Sequence, residues 1–88
     1  MKLYAFKDVK AASFIEIFPA KNQYTALRSV SGIVNEAGEK TLFAKYPEDF
    51  QLFYLGEMDE DTGLITPKVE FIENFLALKK TEHEENHD

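Results

Sequence analysis

Alternation of apolar and polar residues at the beginning of the chain predicts two strands. Residues 2–8 alternate between two faces, which is the period of a β-strand. Residues 13–18 are rich in β-branched and aromatic side chains and stop at Pro19, which is typical of a short second strand. The first 20 residues therefore predict two consecutive strands joined by a short connection.

The pattern changes to helical spacing after Asn22. Asn22 is a favourable helix N-cap, and Gly38, which readily adopts the left-handed conformation, is expected to close the helix. One side of this helix carries apolar residues, namely Ala26, Leu27, Val30, Ile33 and Val34. The opposite, solvent-facing side is expected to carry Arg28, Ser31 and Asn35. Gly32 costs about 1 kcal/mol relative to Ala inside a helix, so we expect another part of the molecule to pack closely there.

A polar loop over residues 39–49 is expected to lead into the most apolar run of the chain, residues 50–56. This run has apolar side chains on both faces of a predicted strand. A strand of this kind is usually central in its sheet and covered on both sides. We expect the helix to cover one face and a second subunit to cover the other.

The rest of the chain predicts a hairpin and a second helix. Residues 59–63 are acidic and end at Gly63, which is typical of a turn, and residues 64–66 are expected to return as a short strand. Thr66 and Pro67 fit the N-cap and first position of a helix. The apolar side of that helix would carry Val69, Ile72, Phe75 and Leu76. The order β-β-α-β-β-α predicts an α+β fold, with a small antiparallel or mixed sheet of about four strands packed with two helices.

Length and composition are those of one small globular domain. The 88 residues are 44% hydrophobic and 30% charged, which argues against general disorder. Residues 1–80 are expected to form a single α+β domain and residues 81–88 an acidic, disordered tail. The absence of Cys excludes disulfides, thiolate metal sites and Cys nucleophiles. No apolar run approaches the roughly 20 residues of a membrane span, so we expect a soluble, cytoplasmic protein without a membrane partner.

Charge is distributed unevenly along the chain. Residues 1–46 carry seven Lys or Arg against four acids, whereas residues 47–88 carry three Lys against twelve acids, and the net charge is −6. One interpretation is a solvated acidic surface that keeps a small protein soluble. The other is a basic face for an anionic partner, beside an acidic segment that competes for that face or recruits other proteins.

Motifs for catalysis are weak. Residues 83–87 have the letters of the zinc motif H-E-x-x-H, but they lie in a polar stretch and the chain has no further His as a third ligand. Residues 59–70 approach a calcium-loop template, but Leu64 stands where that template requires Gly. No Ser lies in a nucleophile elbow, and the Gly residues are too scattered for a phosphate loop. We expect no enzyme activity, no metal site and no cofactor, and we keep a zinc hydrolase through His83 and His87 as a third hypothesis.

Aromatic residues interleaved with positive charge are the remaining candidate for chemistry. Single-stranded nucleic acid is bound by aromatic rings that stack on bases and by cations that contact phosphate. The candidate residues are Lys7, Lys10, Lys21, Tyr24, Arg28, Lys45 and Tyr46, with Tyr4 as a further stacking residue. The alternatives are that Phe6 and Phe14 are core and the Lys residues solvated, or that exposed aromatics form a homo-oligomer interface.

A longer motif resembles a known family. Residues 46–63 contain Pro-Glu-Asp-aromatic-x-Leu at 47–52, Leu-Gly at 55–56, and an acidic turn that ends in Thr62-Gly63. This pattern resembles the small nonstructural protein of gokushoviruses, which are tailless single-stranded-DNA phages of the microvirus family. The sequence departs from it at Met58, where an aromatic is expected, and at residues 36–39, where a shorter and more basic connection is expected.

The resemblance implies a protein made in the cytoplasm of the infected host cell and absent from the virion. It further implies a role in viral genome replication, at the shift from duplex to single-strand synthesis, by binding DNA or a replication protein. The family carries no established catalytic residues, so the resemblance implies none in this sequence. The first hypothesis is therefore a non-enzymatic, dimeric protein that binds single-stranded DNA. The second is an interaction module that engages a host or phage protein through its acidic half and exposed aromatics.

Overall fold

The structure, a computed structural model, describes residues 1–80 and contains one four-stranded antiparallel sheet. The strands are β1 (Lys2–Asp8), β2 (Ser13–Ala20), β3 (Phe50–Met58) and β4 (Ile65–Asn74), and their order in the sheet is β2-β1-β3-β4. The helices are α1 (Gln23–Val34), α2 (Leu42–Lys45) and α3 (Phe75–Leu78), with a 3₁₀ turn at Pro47–Asp49. The α+β class and the central position of β3 are confirmed. The predicted acidic tail and the His83 and His87 pattern lie outside the described residues.

Helix α1 begins as predicted but ends earlier. The Asn22 side chain accepts a hydrogen bond from the Thr25 backbone N–H at 2.8 Å, which satisfies one of the free donors at the helix start. The helix ends at Val34 and is capped by Asn35, so the predicted extension to Gly38 is wrong. The predicted close packing at Gly32 is also wrong, because a Cβ placed there would meet nothing within 4 Å.

The core lies between one face of the sheet and the helices. Its fully buried members come from α1, the two central strands and α3, and they include Val30, Val34, Leu52 and Phe75. The predicted loop over residues 39–49 contains helix α2 and the 3₁₀ turn. Helix α2 places the Phe43 ring against this core. Its centroid is 5.2 Å from that of the Phe6 ring and 4.8 Å from that of the Phe50 ring. All of the helices therefore form one layer on one side of the sheet, which we call the helix layer.

The predicted second helix is wrong over most of its length. Strand β4 continues through Pro67 to Asn74, and within the described part of the chain only the four residues of α3 are helical after it. The four predicted apolar positions do not share a side, since Phe75 is fully buried whereas Val69 and Leu76 are exposed. A three-residue step places Val69 and Ile72 on opposite faces of β4, and Ile72 packs against the core. The pairing of β3 with β4 is also irregular. Phe53 lies opposite Phe71 and Gln51 opposite Asn74, so a step of two residues on β3 corresponds to a step of three on β4.

Within residues 1–80, no helix covers the other face of the sheet. Ring contacts link Phe14 of β2 to Phe53 of β3 and Phe53 to Phe71 of β4, with centroids 5.1 and 5.7 Å apart. Strand alternation places Ile17 and Val69 on the same side, because their neighbours Phe18 and Glu70 are on the helix side. We call the surface formed by Phe14, Ile17, Phe53, Val69 and Phe71 the open face. The prediction that β3 is apolar on both faces is confirmed.

Candidate nucleic-acid interface

The seven candidate residues are spread over several surfaces. Lys7 lies on the open face, where its ammonium is 5.4 Å from the centroid of the Phe14 ring and 5.6 Å from that of Phe53. Lys10 lies in the turn between β1 and β2, and its ammonium is 3.5 Å from a carboxylate oxygen of Asp49. Lys7 is therefore separated from the helix layer by the sheet itself, and the charge of Lys10 is partly neutralised.

Lys21 lies at the junction of β2 and α1, beside acidic groups. It lines a shallow cleft of about 420 Å³ that also contains Glu57 and Glu60. The amino group of Met1 is in the same place, 3.6 and 3.9 Å from those two carboxylates, and donates a hydrogen bond to the Met58 carbonyl. A cleft of mixed charge is a poor site for phosphate, so Lys21 contributes little positive potential of its own.

Tyr24 and Arg28 form a pair on the outer side of α1. One helical turn separates them, and the Arg28 guanidinium carbon is 5.9 Å from the centroid of the Tyr24 ring. The Tyr24 side chain is 69% exposed. Helix α1 contains no acidic residue, so no carboxylate of that helix competes for the guanidinium. This pair combines an accessible aromatic ring with an accessible cation.

Lys45 and Tyr46 form a second exposed pair on the helix layer, at the end of α2. The Thr41 hydroxyl caps α2 by accepting a hydrogen bond from the Ala44 N–H, and the Tyr46 N–H donates to the Leu42 carbonyl. Lys45 is exposed and half of the Tyr46 side chain is accessible.

Helix α2 lies beside the C-terminal end of α1. The Lys79 ammonium donates hydrogen bonds to the Val34 carbonyl at 2.8 Å and the Ala44 carbonyl at 3.3 Å, which ties the two helix ends together. The Tyr24–Arg28 pair and the neighbouring exposed residues Lys45 and Tyr46 therefore lie on one layer, separated along the roughly 18 Å of a 12-residue helix.

Tyr4 is not available for stacking. It is 2% exposed, and the centroid of its ring is 6.1 Å from that of Phe18 and 5.3 Å from that of Tyr54. Burial, with a smaller contribution from Tyr54, raises the pKa of the Tyr4 hydroxyl above its ordinary value. The prediction of Tyr4 as a base-stacking residue is wrong because Tyr4 points into the core.

Sequence reasoning missed two features. The first is the row of Phe rings on the open face. The alternation of apolar residues in β3 indicated one member of it, Phe53. The prediction of a helix over residues 66–76 concealed the contribution of Phe71. The second is Asn35, predicted on the solvent side of α1. Its side-chain amide donates to the Leu78 carbonyl at 2.9 Å and accepts from the Lys80 N–H at 2.7 Å, so it holds the end of α3 against α1.

Other kinds of site have little structural support in the described residues. Within residues 1–80, no group of three or more His, Cys, Asp or Glu is arranged to hold a metal ion. Over the same residues, no helix is long and apolar enough to cross a membrane. The Asp59 carboxylate accepts hydrogen bonds from the Asp61 and Thr62 N–H groups, which accounts for the acidic turn as a structural element.

Comparison with known proteins gives the family. The model of the Phage ORF5 protein family matches residues 1–78. Protein ORF5 of Chlamydia phage 1 is 33% identical over 69 residues, which cover 76% of this chain and 72% of that relative. No solved structure matches the chain. These matches confirm the resemblance to the gokushovirus protein, and the chain belongs to the Phage ORF5 protein family.

Proposed function

We propose that this phage protein is a non-enzymatic accessory factor of viral genome replication that binds single-stranded DNA with its helix layer. It acts in the cytoplasm of the infected cell and is not part of the virion. The observation that carries the proposal is the Tyr24–Arg28 pair, an accessible ring beside an accessible guanidinium on a helix without acidic residues.

The chemistry of the pair matches the needs of single-strand binding. A base stacked on an exposed aromatic ring contributes about 1–3 kcal/mol, independent of sequence, and a guanidinium contacts phosphate. The same pair within a folded helix stabilises that helix by only about 0.2–0.5 kcal/mol, so the contribution to helix stability is small. Lys45 and Tyr46 extend the surface toward the end of α1, so a strand along this helix would meet both pairs.

Fluorescence anisotropy with labelled single-stranded and duplex DNA, over a range of salt concentrations, tests the proposal. Removing one phosphate contact should reduce the slope of log K against log salt by about 0.7, which we expect for Arg28→Ala. Tyr24→Ala should weaken binding by about 1–3 kcal/mol and leave the slope unchanged. Lys10→Ala is the matched control, since it changes the net charge as Arg28→Ala does but lies outside the helix layer.

Three results would refute this assignment. Binding that does not depend on salt would exclude phosphate contacts as its source. Equal losses in Arg28→Ala and Lys10→Ala would show that only overall charge matters. Absence of binding at low salt would exclude direct DNA contact altogether.

The acidic hairpin supports a second candidate function, the binding of a host or phage replication protein. At the tip between β3 and β4, Leu64 is 73% exposed and Ile65 is 54% exposed, next to Glu57 and Glu60. Apolar side chains surrounded by carboxylates are typical of a protein-binding surface. Deletion of residues 81–88 distinguishes the two functions, because it should strengthen DNA binding under the first and weaken capture of the partner protein under the second.

A further inference from the structure

The open face is a large apolar surface for so small a protein. Its four most accessible side chains are Phe14, Ile17, Val69 and Phe71, which are 41%, 65%, 60% and 49% exposed. Together they leave on the order of 400 Å² of apolar surface in contact with water, which is in the range of about 300–600 Å² for the largest apolar patch on a typical monomer, and such patches are often functional. The partly buried Phe53 connects Phe14 and Phe71 into a continuous row of rings.

Among residues 1–80, Lys7 is the cation that ring contacts place on the open face. The Lys7 ammonium lies over the Phe14 and Phe53 rings, with its stem along the apolar surface. Affinity for nucleic acid rests mainly on several cations that replace the counterions of phosphate. A face made mainly of apolar side chains is therefore suited to another apolar surface.

We propose that the open face binds the open face of a second copy of this chain, in a two-fold symmetric dimer. The residues after Lys80 carry no apolar side chain, so their chemistry does not fit this surface. A second copy supplies the same chemistry, and a two-fold interface pairs one patch with itself. The four accessible side chains alone provide about half of the roughly 800 Å² that each partner contributes to a standard interface.

The geometry of packed sheets supports a second copy of the chain as the partner of the open face. Two sheets that pack face to face lie about 10 Å apart, and their side chains interdigitate. The rings of Phe14 and Phe71 stand at 87° and 77° to the ring of Phe53, which leaves edges and faces alternating along the row. Edge-to-face contacts between aromatic rings are favourable, so a second row can extend the same arrangement.

Sedimentation equilibrium of the full chain over a wide concentration range tests the dimer. Wild type should have twice the 10.1 kDa mass of the chain. Ile17→Glu and Phe71→Glu each place a carboxylate in the interface and should raise the dimer dissociation constant by at least about 100-fold. Both side chains are exposed in the single chain, so circular dichroism should show that the variants remain folded.

Leu42→Glu is the matched control, because Leu42 is 63% exposed on the helix layer, as accessible as Ile17 on the open face. It should remain dimeric. A wild-type protein that stays monomeric at every concentration would overturn the proposal, as would dimers of unchanged affinity in Ile17→Glu and Phe71→Glu. A monomeric wild type whose DNA binding is lost in Phe71→Glu would instead make the open face a base-stacking surface. The mass measurement needs no DNA, so its outcome is independent of the function proposed above.

Discussion

At Gly56, strand β4 passes so close to β3 that there is no space for a side chain. A Cβ at this position would lie 2.2 Å from the Thr66 carbonyl oxygen and 3.0 Å from the Pro67 Cα, and the residue has φ +139. Gly32 offers the opposite environment, with open space around it in a helix. The glycine of the Leu-Gly motif is therefore required by the backbone.

Gly56→Ala should lower the free energy of unfolding by about 3 kcal/mol or more, because both the positive φ and the overlap with the β4 backbone must be relieved. Gly32→Ala should raise it by about 0.5–1 kcal/mol through helix propensity. Urea unfolding followed by circular dichroism measures both. Equal stability of Gly56→Ala and wild type would show that β4 does not approach β3 as described.

The residues of the family motif have mainly structural roles. Pro47 is buried at the start of the 3₁₀ turn, and the Asp49 carbonyl accepts a hydrogen bond from the Val9 N–H. Gly63 has φ +79 and its N–H donates to the Asp59 carbonyl at 2.7 Å. A sequence motif that identifies the family thus describes how β3 and its turns are built, and it does not identify a binding residue.

At the scale of elements, the sequence predicted correctly those features that depend on neighbouring residues in the chain. Asn22 caps α1 as its residue type indicates, and the alternation in residues 2–8 corresponds to β1. Strand β4 was missed because its form depends on pairing with β3, which the spacing of apolar residues within 66–76 does not reveal. The end of α1 was missed because Asn35 is held by the backbone of residues 78 and 80, which are distant in the sequence.

Lys79 connects three elements, and its substitution tests how strongly the helix layer depends on it. Its ammonium donates to the last carbonyl of α1, to a carbonyl of α2 and to the Glu39 carboxylate at 2.7 Å. Cations at helix C-termini are favourable, so Lys79→Met should lower the free energy of unfolding by about 1–2 kcal/mol. Lys80→Met, at an exposed neighbouring position, is the control for the loss of one charge.

The stability difference between wild type and Lys79→Met should depend on pH. The hydrogen bond and charge of Lys79 hold the pKa of Glu39 below its ordinary value. The pKa of Glu39 is lower in the folded state than in the unfolded state. The ion pair therefore stabilises the fold above the unfolded-state pKa, and this stabilisation is lost as the pH falls through the folded-state pKa. Thermal unfolding in acid should therefore show a smaller difference in Tm between wild type and Lys79→Met than at neutral pH. A difference that grows on acidification would contradict the ion pair.

At the scale of the whole molecule, residue types predicted candidates for the site but not their grouping. Lys7 and Arg28 looked equivalent in the sequence, yet the sheet separates them, one on the open face and one on the helix layer. Tyr4 and Tyr24 have the same side chain, but one is buried and the other 69% exposed. Which face of a strand is covered depends on the complete topology, so this part of the site could not be predicted from local patterns.

The two proposals together predict a bivalent molecule. Two copies that pack open face to open face leave both helix layers outside, with their Tyr24–Arg28 pairs roughly 30–40 Å apart, from the 10 Å spacing of sheets and the diameter of a helix. A short oligonucleotide reaches one pair only, whereas a long single strand can reach both, and the second contact is then intramolecular. Wild type should bind a long oligonucleotide at least about tenfold more tightly than a short one of the same composition.

Ile17→Glu separates this effect from the larger number of binding positions on a longer strand. The monomeric variant should bind short oligonucleotides with the affinity of wild type, since its substitution lies across the sheet from Tyr24, and should lose most of the gain with length. Anisotropy titrations of both proteins with both oligonucleotides measure the difference. A gain with length that is the same in the two proteins would mean that the two helix layers do not share one strand, even if each binds DNA and the chain is a dimer.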